Sequence, residues 1–252
     1  MTQEDIDRVL KLTLSPSRVG MYEQCPRRYY YRYLERLPTK DWPHFNLGTF
    51  VHGALENFHK RELQGDKDPP AAIMKTACAD FYRKMDKDGK ELTAAQIDEA
   101  KIMLANYMQR LVAEDAGNTI LALEDKFTSR LNESYDLTGV VDRLDRDKDG
   151  ILHLKDYKTN KNARYMKPFQ LNAYGIYLLD KFPDTKRFRA SYIMLRLNGK
   201  SITFDFTRED VDKCRRKLIE AGDKITQEER WITKAGRLCD WCDFKEVCFN
   251  SW

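Results

Sequence analysis

The 252-residue sequence contains no apolar run approaching the roughly 20 residues needed to cross a bilayer. Its start, "MTQEDIDRVLKLTLSPS", does not read as a secretory leader. Acids stand where a leader carries bases, and no small-residue cleavage site follows an apolar core. Internal repeats, low-complexity tracts and linkers are missing too, which favours one folded domain over an array. A phosphate-binding loop is also missing. The "NGKS" of residues 198 to 201 ends like one, but the motif's first glycine would fall on Met194. No ATP-driven motor is therefore expected in this chain. Nor does one sign of charge dominate: 44 Lys and Arg against 40 Asp and Glu leave +4, a weak pull toward polyanions. These absences describe a water-soluble protein, expected in the cytoplasm and away from membranes.

What is present begins with the cysteines. There are six, and in a cytoplasmic chain they read as metal ligands or buried hydrophobes rather than disulfide partners. Cys239, Cys242 and Cys248 cluster in "GRLCDWCDFKEVCFNSW", while Cys25 sits far away in "MYEQCPRRYYYRYL". Cys78 and Cys214 lie singly within helical patterns, as buried structural cysteines would. The C-x2-C-x5-C spacing matches neither ferredoxin pattern, so it leaves a four-thiolate zinc site and an iron–sulfur cluster equally open.

Periodicity divides the chain into helical and alternating stretches. Ser15 and Pro16 start one helix, or two joined at Pro26, reaching about residue 37. Helices follow over about 47–63, with Val51, Leu55 and Phe58 on one stripe, then over "PPAAIMKTACADFYRKM" and "TAAQIDEAKIMLANYMQRLVAED". Three strands come next: "TILALEDKFTSRL", "SYDLTGVVDRLDRD" and "GILHLKDYKT". A helix over "KPFQLNAYGIYLLDKF" leads to a hairpin, "RASYIMLRLNGKSITFDFT", whose Asn198-Gly199 suits a tight type I′ turn. A charged helix over about 208–230 precedes the cysteine tail. The organisation is thus an α/β domain spanning 1–252: a helical part over 15–118, a sheet core over 119–207, and a C-terminal helix and metal tail over 208–252.

The chemistry is densest in "GVVDRLDRDKDGILHLKDYKTNK". Pairing of the two strands as a hairpin brings Asp142 and Asp156 within a few ångströms in the right register. Two hard oxygen donors, open to solvent, suit Mg²⁺ or Mn²⁺. Lys158 shares a face with Asp156 because strand side chains repeat every two residues. A lysine there can orient a metal-bound water or meet charge growing on a phosphate. Taken alone, Asp156 and Lys158 would be a surface ion pair worth little; the set with Asp142, His52 and a glutamine on the next helix tilts the reading toward a site. Asp145, Asp147, Asp149, Gly150 and Asp156 also fit the spacing of an EF-hand loop. Strands rather than helices flank them, so a polar β-turn explains the acids better.

Six segments, in order, resemble the PD-(D/E)XK nuclease superfamily, specifically its RecB-like members close to CRISPR-associated and phage-encoded iron–sulfur exonucleases. They are "LSPSRVGMYEQCPRRYYYRYL", "LGTFVHGALE", "GVVDRLD", "LKDYKTNK", "QLNAY" and "CDWCDFKEVC". The resemblance implies a restriction-endonuclease-like mixed central sheet flanked by helices, with a C-terminal cysteine-rich clip. It implies His52, Asp142 and Asp156 as metal ligands, joined by the carbonyl of Tyr157. Lys158 would be the catalytic lysine. Gln170 and Tyr174 match a Q-x-x-x-Y motif that places phosphate or strand. Cys25, Cys239, Cys242 and Cys248 match the ligands of a [4Fe–4S] cluster, with structural Zn²⁺ as the alternative. Two departures stand out: "VVD" lacks a proline, and Asp156 replaces the more frequent glutamate.

Without the family, His52 would read as a structural histidine, and Gln170 with Tyr174 as a core-edge pair one turn apart. Glu56, one turn beyond His52, would face the site or solvent. In "RRYYYRYL" most tyrosines are expected to pack, leaving Arg27 or Arg28 as nucleic-acid contacts. The implied function is a metal-dependent DNA exonuclease acting at single-stranded ends. Its setting would be recombination or repair, phage DNA processing or CRISPR adaptation in a bacterial or phage-infected cell, with a helicase, recombination or integration partner. The rival readings are a non-hydrolytic DNA-binding module and a sequence-selective endonuclease.

Overall fold

The computed structural model describes residues 12–40 and 44–249; most of the N-terminal stretch read above for a leader lies outside them. The chain forms two compact units. One comprises Trp42–Phe127 and Val140–Arg208, the other Met1–Asp41, Thr128–Gly139 and Glu209–Trp252.

The first unit starts with three helices. Helix α3 (His44–Leu63; α1 and α2 belong to the other unit) places Val51, Leu55 and Phe58 wholly out of solvent, as the stripe predicted. Its Gly53 is needed for packing: a Cβ there would lie 2.0 Å from the Phe81 ring of helix α4 (Pro70–Lys87). Helix α5 (Ala94–Glu114) opens on a reciprocal cap. Thr93 Oγ1 accepts from the Gln96 amide at 3.2 Å, and Gln96 Oε1 accepts from the Thr93 amide at 2.9 Å. These helices bury their apolar faces in one cluster together with Tyr157, Ile193 and Leu195.

Strands β2 (Thr119–Arg130) and β3 (Tyr135–Arg146) each carry residues of both units. Strand β3 pairs antiparallel with β4 (Leu152–Lys158), and Arg143 faces Lys155. The turn between them is polar, as expected. Asp147 Oδ1 accepts from the amides of Asp149 at 3.0 Å and Ile151 at 2.8 Å, and Gly150 takes φ 80°. From β4 the chain crosses through helix α6 (Pro168–Lys181) to β5 (Arg187–Met194), which pairs parallel with β4. A parallel return needs such a crossover. Strand β6 (Lys200–Thr207) then closes an antiparallel hairpin on β5.

That hairpin differs from the two-residue connection expected. Asn198 and Gly199 do take φ 54° and 66°, as a type I′ turn requires, and the Lys200 amide donates to Leu197 O at 3.0 Å. Strand pairing nevertheless stops at Met194. Leu195 has left the hairpin for the helical core. Its amide donates to Lys158 O at 3.0 Å, its carbonyl accepts from Asn106 Nδ2 at 3.1 Å, and its side chain is fully buried.

In the second unit, a three-residue strand β1 (Leu12–Leu14), not anticipated from periodicity, pairs parallel with Tyr135–Leu137. Helix α1 (Pro16–Gln24) is capped by Ser15, whose Oγ accepts from the Arg18 amide at 3.1 Å. Helix α2 (Pro26–Tyr29) begins at the second expected proline and runs on as a π-helical turn over Tyr30–Leu34. Helix α7 (Arg208–Thr226) buries Val211, Cys214, Leu218, Ala221 and Ile225 and ends one turn short of residue 230. A 3-10 turn (Arg237–Trp241) and helix α8 (Lys245–Phe249) carry the cysteine tail. Among the described residues, no helix is long and apolar enough to cross a membrane.

Candidate active site

The two faces of the β3–β4 hairpin differ in chemistry. Residues opposite one another on antiparallel strands share a face. Arg143, Asp145, His153, Lys155 and Tyr157 therefore fall on one side, and Asp142, Asp156 and Lys158 on the other. The first side is a buried ion network. Arg143 holds Asp145 through Nε at 2.6 Å and Nη2 at 2.7 Å, while Lys155 Nζ lies 2.6 Å from both Asp115 and Asp145. Charges so deeply buried persist only because each is paired. The network continues from Arg143 Nη1 to the Tyr107 hydroxyl at 2.9 Å, and from Tyr107 to the Tyr157 hydroxyl at 2.9 Å. Tyr157 is thereby held between the two residues that face the other way.

On that other face, the register that sets Arg143 against Lys155 carries Asp142 opposite Asp156. The ladder ends at Arg143 and Lys155, one step short of that pair, and the Tyr157 amide donates to Asp142 Oδ2 at 2.6 Å. His52 of α3 brings its Nδ1 to 3.5 Å from Asp142 Oδ2 and 3.8 Å from Glu124 Oε1. Donor atoms of His52, Glu124 and Asp142 all lie within 4.8 Å of one another.

Asp156 lies outside that triad but beside it. Its Oδ1 accepts from Gln170 Nε2 at 2.7 Å, and its Oδ2 stands 2.6 Å from Lys158 Nζ. The Lys158 ammonium pairs with that buried oxygen. Gln170 also reaches Lys158 Nζ through Oε1 at 3.4 Å and the Tyr174 hydroxyl through Nε2 at 3.1 Å. Lys158 sits 5.3 Å from the centre of the Tyr192 ring.

The electrostatics are those of crowded carboxylates. Burial pushes Asp156 up to about 6, aided by the charge of Asp142 and opposed by Lys158. Burial also raises Glu124, with Asp142 and Glu56 adding to it and His52 opposing. For His52, burial disfavours the proton, but the carboxylates of Asp142 and Glu124 outweigh it and lift the imidazole to about 10. Excess negative charge on hard oxygens fits a divalent cation such as Mg²⁺ or Mn²⁺.

His52, Asp142, Asp156, Tyr157, Lys158, Gln170 and Tyr174 fall in one unit, whereas Arg27 and Arg28 belong to the other. Glu124 was missed. It sits in β2, which pairs with β3, and takes φ 44° where a residue with a side chain prefers a negative value. The only signal for it was an acid in the strand before the one carrying Asp142. Glu56 is tied to Lys60 at 2.6 Å, and its charge is felt at Glu124.

In the other unit, Cys25, Cys239, Cys242 and Cys248 line one cavity of about 180 Å³ with Arg27, Arg28, Tyr31, Phe244 and Lys245. None of the six cysteines is in a disulfide. Burial raises Cys242. Cys239 Sγ accepts from the Gly236 amide at 3.4 Å, and Cys248 Sγ lies 3.7 Å from Thr233 Oγ1. Tyr29 and Tyr31 are buried, Tyr29 stacking on Trp231 at 6.0 Å. Arg27 leans on the Tyr30 and Tyr31 rings, and the Arg28 Nε is buried without a partner. Cys214 is buried and Cys78 packs against the helical core; burial lifts their thiols to about 12 and about 11.

The site thus lies on a mixed sheet flanked by helices, with Asp142 within β3 and Asp156 and Lys158 at the end of the neighbouring β4. Residues 13–249 match the family model of the PD-(D/E)XK nuclease superfamily, and the chain belongs to that superfamily. It is also similar to an ATP-dependent helicase/deoxyribonuclease subunit of Streptococcus agalactiae. The identity to the serotype Ia and serotype V proteins is 26% over 155 residues, 59% of this chain. The match spans only 14% of those relatives' length. Among solved structures, that of a "Putative exonuclease" from Eubacterium rectale shares the fold with a TM-score of 0.53 and 12% identity. It covers 98% of this chain and 92% of that one.

Proposed function

We propose that this protein is a divalent-metal-dependent deoxyribonuclease that degrades DNA from single-stranded ends. The observation that carries the reading is the convergence of His52, Glu124 and Asp142 within 4.8 Å beside the Asp156–Lys158–Gln170 group. His52, Asp142, Asp156 and Glu124 would hold the cation, with the Tyr157 carbonyl as a further oxygen donor. When bound, the cation supplies a water of lowered pKa and neutralises phosphate charge. The chain's own groups do the rest. Lys158 positions the attacking water and meets charge on the phosphate. Gln170, bonded to Asp156 and within reach of Lys158, keeps acid and base in mutual register. Tyr174 steadies Gln170, and Arg27 or Arg28 would contact the nucleic acid.

DNA as substrate is supported by the family and by the deoxyribonuclease and exonuclease designations of its relatives. The designation of the streptococcal proteins as part of a helicase/deoxyribonuclease supports a helicase partner. The cysteines would hold a [4Fe–4S] cluster. Their shared cavity of about 180 Å³ supports a common metal, with structural zinc as the alternative to the cluster.

The test uses protein purified without oxygen and single-stranded DNA labelled separately at each end, with Mn²⁺, Mg²⁺ or EDTA. Metal-dependent laddering from one end, at least about 100-fold slower in Lys158→Ala, is the expected result. Tight binding without cleavage under any divalent metal would leave a DNA-binding module as the better account.

A further inference from the structure

The segment between Lys158 and Gln170 is the only covalent link between the two catalytic elements, and the ion pairs of the site do not use it. It reads "TNKNARYMK" over residues 159–167 and carries three cations, Lys161, Arg164 and Lys167, with no acid. All three are exposed. At its start Thr159 O accepts from Arg196 Nε at 2.6 Å, and Arg196 is itself held by Glu99 at 2.7 Å. At its end Lys167 O accepts from the Tyr192 hydroxyl at 2.8 Å. In the middle, Asn162 Oδ1 accepts from the Arg164 amide at 2.8 Å and caps a 3-10 turn over Ala163–Tyr165.

The backbone is therefore fixed while the charged heads are left to solvent. Glu99 feels Lys161: its carboxyl is held low chiefly by Arg196, with a smaller contribution from Lys161. Lys161 and Lys167 each lie three residues from a catalytic side chain, within about 10 Å of extended chain. Exposed cations that close to the site, on a segment with no acid in it and with its backbone tied at both ends, are matched to further phosphates of the same strand.

We propose that Lys161, Arg164 and Lys167 are a strand-holding site that grips backbone phosphates of single-stranded DNA next to the one being cut. It rests on the nuclease reading for its substrate, but its test does not depend on cleavage. Binding of a labelled oligothymidylate is measured in EDTA between about 50 and 200 mM salt. The proteins compared are the wild type, the triple variant K161A/R164A/K167A and the charge-keeping variant K161R/R164K/K167R. Each single-strand phosphate contact contributes about −0.7 to the slope of log K against log salt. The triple variant is expected to lose about 2 from that slope, so the wild type's affinity falls roughly 20-fold more across this range. The charge-keeping variant retains the wild-type slope. Single substitutions, each lowering the slope by about 0.7, decide the matter if the triple variant melts early. Equal slopes in wild type and folded variants would overturn the proposal and, with cleavage intact, leave the nuclease reading standing. A reduced slope in a protein that never cleaves would keep the strand-holding site and sink the nuclease. No binding to single strands at all would remove both.

Discussion

Glu124 shows how a single residue can carry stress for a site. Its backbone takes φ 44°, a conformation that costs a residue with a Cβ about 1–2 kcal/mol. Burial also works against its carboxylate, with the charges of Asp142 and Glu56 adding to it and His52 opposing. Strain kept at a site is retained when function needs the side chain there. Glu124→Gly should therefore raise the unfolding free energy of the metal-free protein, by about 1 kcal/mol, while abolishing cleavage. Chemical denaturation in EDTA beside a nuclease assay checks both halves. A variant that is destabilised, or that still cleaves at the wild-type rate, would break the link between strain and site. Nothing local in "LALEDKF" announces this role. Asp142, Asp156 and Lys158 were legible because a hairpin and a two-residue period suffice to bring them together. Glu124 depends on the pairing of β2 with β3, and no window of sequence contains that.

Strand β4 is buried on both faces although four of its seven residues can carry charge. Lys155 and Asp156 manage this through ionic partners, whereas His153 stays neutral. Its Nε2 lies 2.8 Å from Ser191 Oγ, and burial, helped by the nearby Lys155 charge, lowers its pKa to about 3. The unfolded chain takes up this proton near 6.5 and the folded one only near 3, so the unfolded state binds more protons between those values. Stability should thus fall as pH drops below about 6.5, by roughly 1.4 kcal/mol per unit from this residue. His153→Gln, which keeps a partner for Ser191, should flatten the fall in unfolding free energy between about pH 6.5 and 4.5 by up to about 3 kcal/mol. Identical pH profiles for the two proteins would refute it. Elements with strong periods were readable in advance, as the stripe of α3 and the three strands show. The exceptions have tertiary causes. Leu195 abandons the β5–β6 hairpin because its amide and side chain find partners on β4 and in the helical core. Strand β1 is too short to show a period and exists through its pairing with Tyr135–Leu137.

At the scale of the whole chain, the cysteines have the longest reach. Cys25 and Cys239 are more than 200 residues apart, yet both line one cavity, and that convergence was visible only through the family resemblance. Spacing identified Cys239, Cys242 and Cys248 as a group, while nothing around Cys25 marks it as their partner. A metal tie between these positions would close a loop enclosing the segments of both catalytic strands. By the chain-entropy model for cross-links, a loop of that length is worth roughly 5 kcal/mol, lessened by any strain in the closed form. Metal bound only by the folded chain adds its binding free energy to folding. Protein purified without oxygen should therefore contain iron and sulfide, and Cys25→Ser should lose both and melt far lower. Cys78→Ser, outside the cavity, should retain its metal and lose only the modest stability of a partly buried thiol. Elemental analysis beside a thermal melt separates the outcomes. Zinc without iron would keep the tie and replace the cluster. Neither metal, with the same melting temperature in Cys25→Ser and wild type, would mean that the four thiols hold nothing and that α1, α2 and the tail are secured by packing alone.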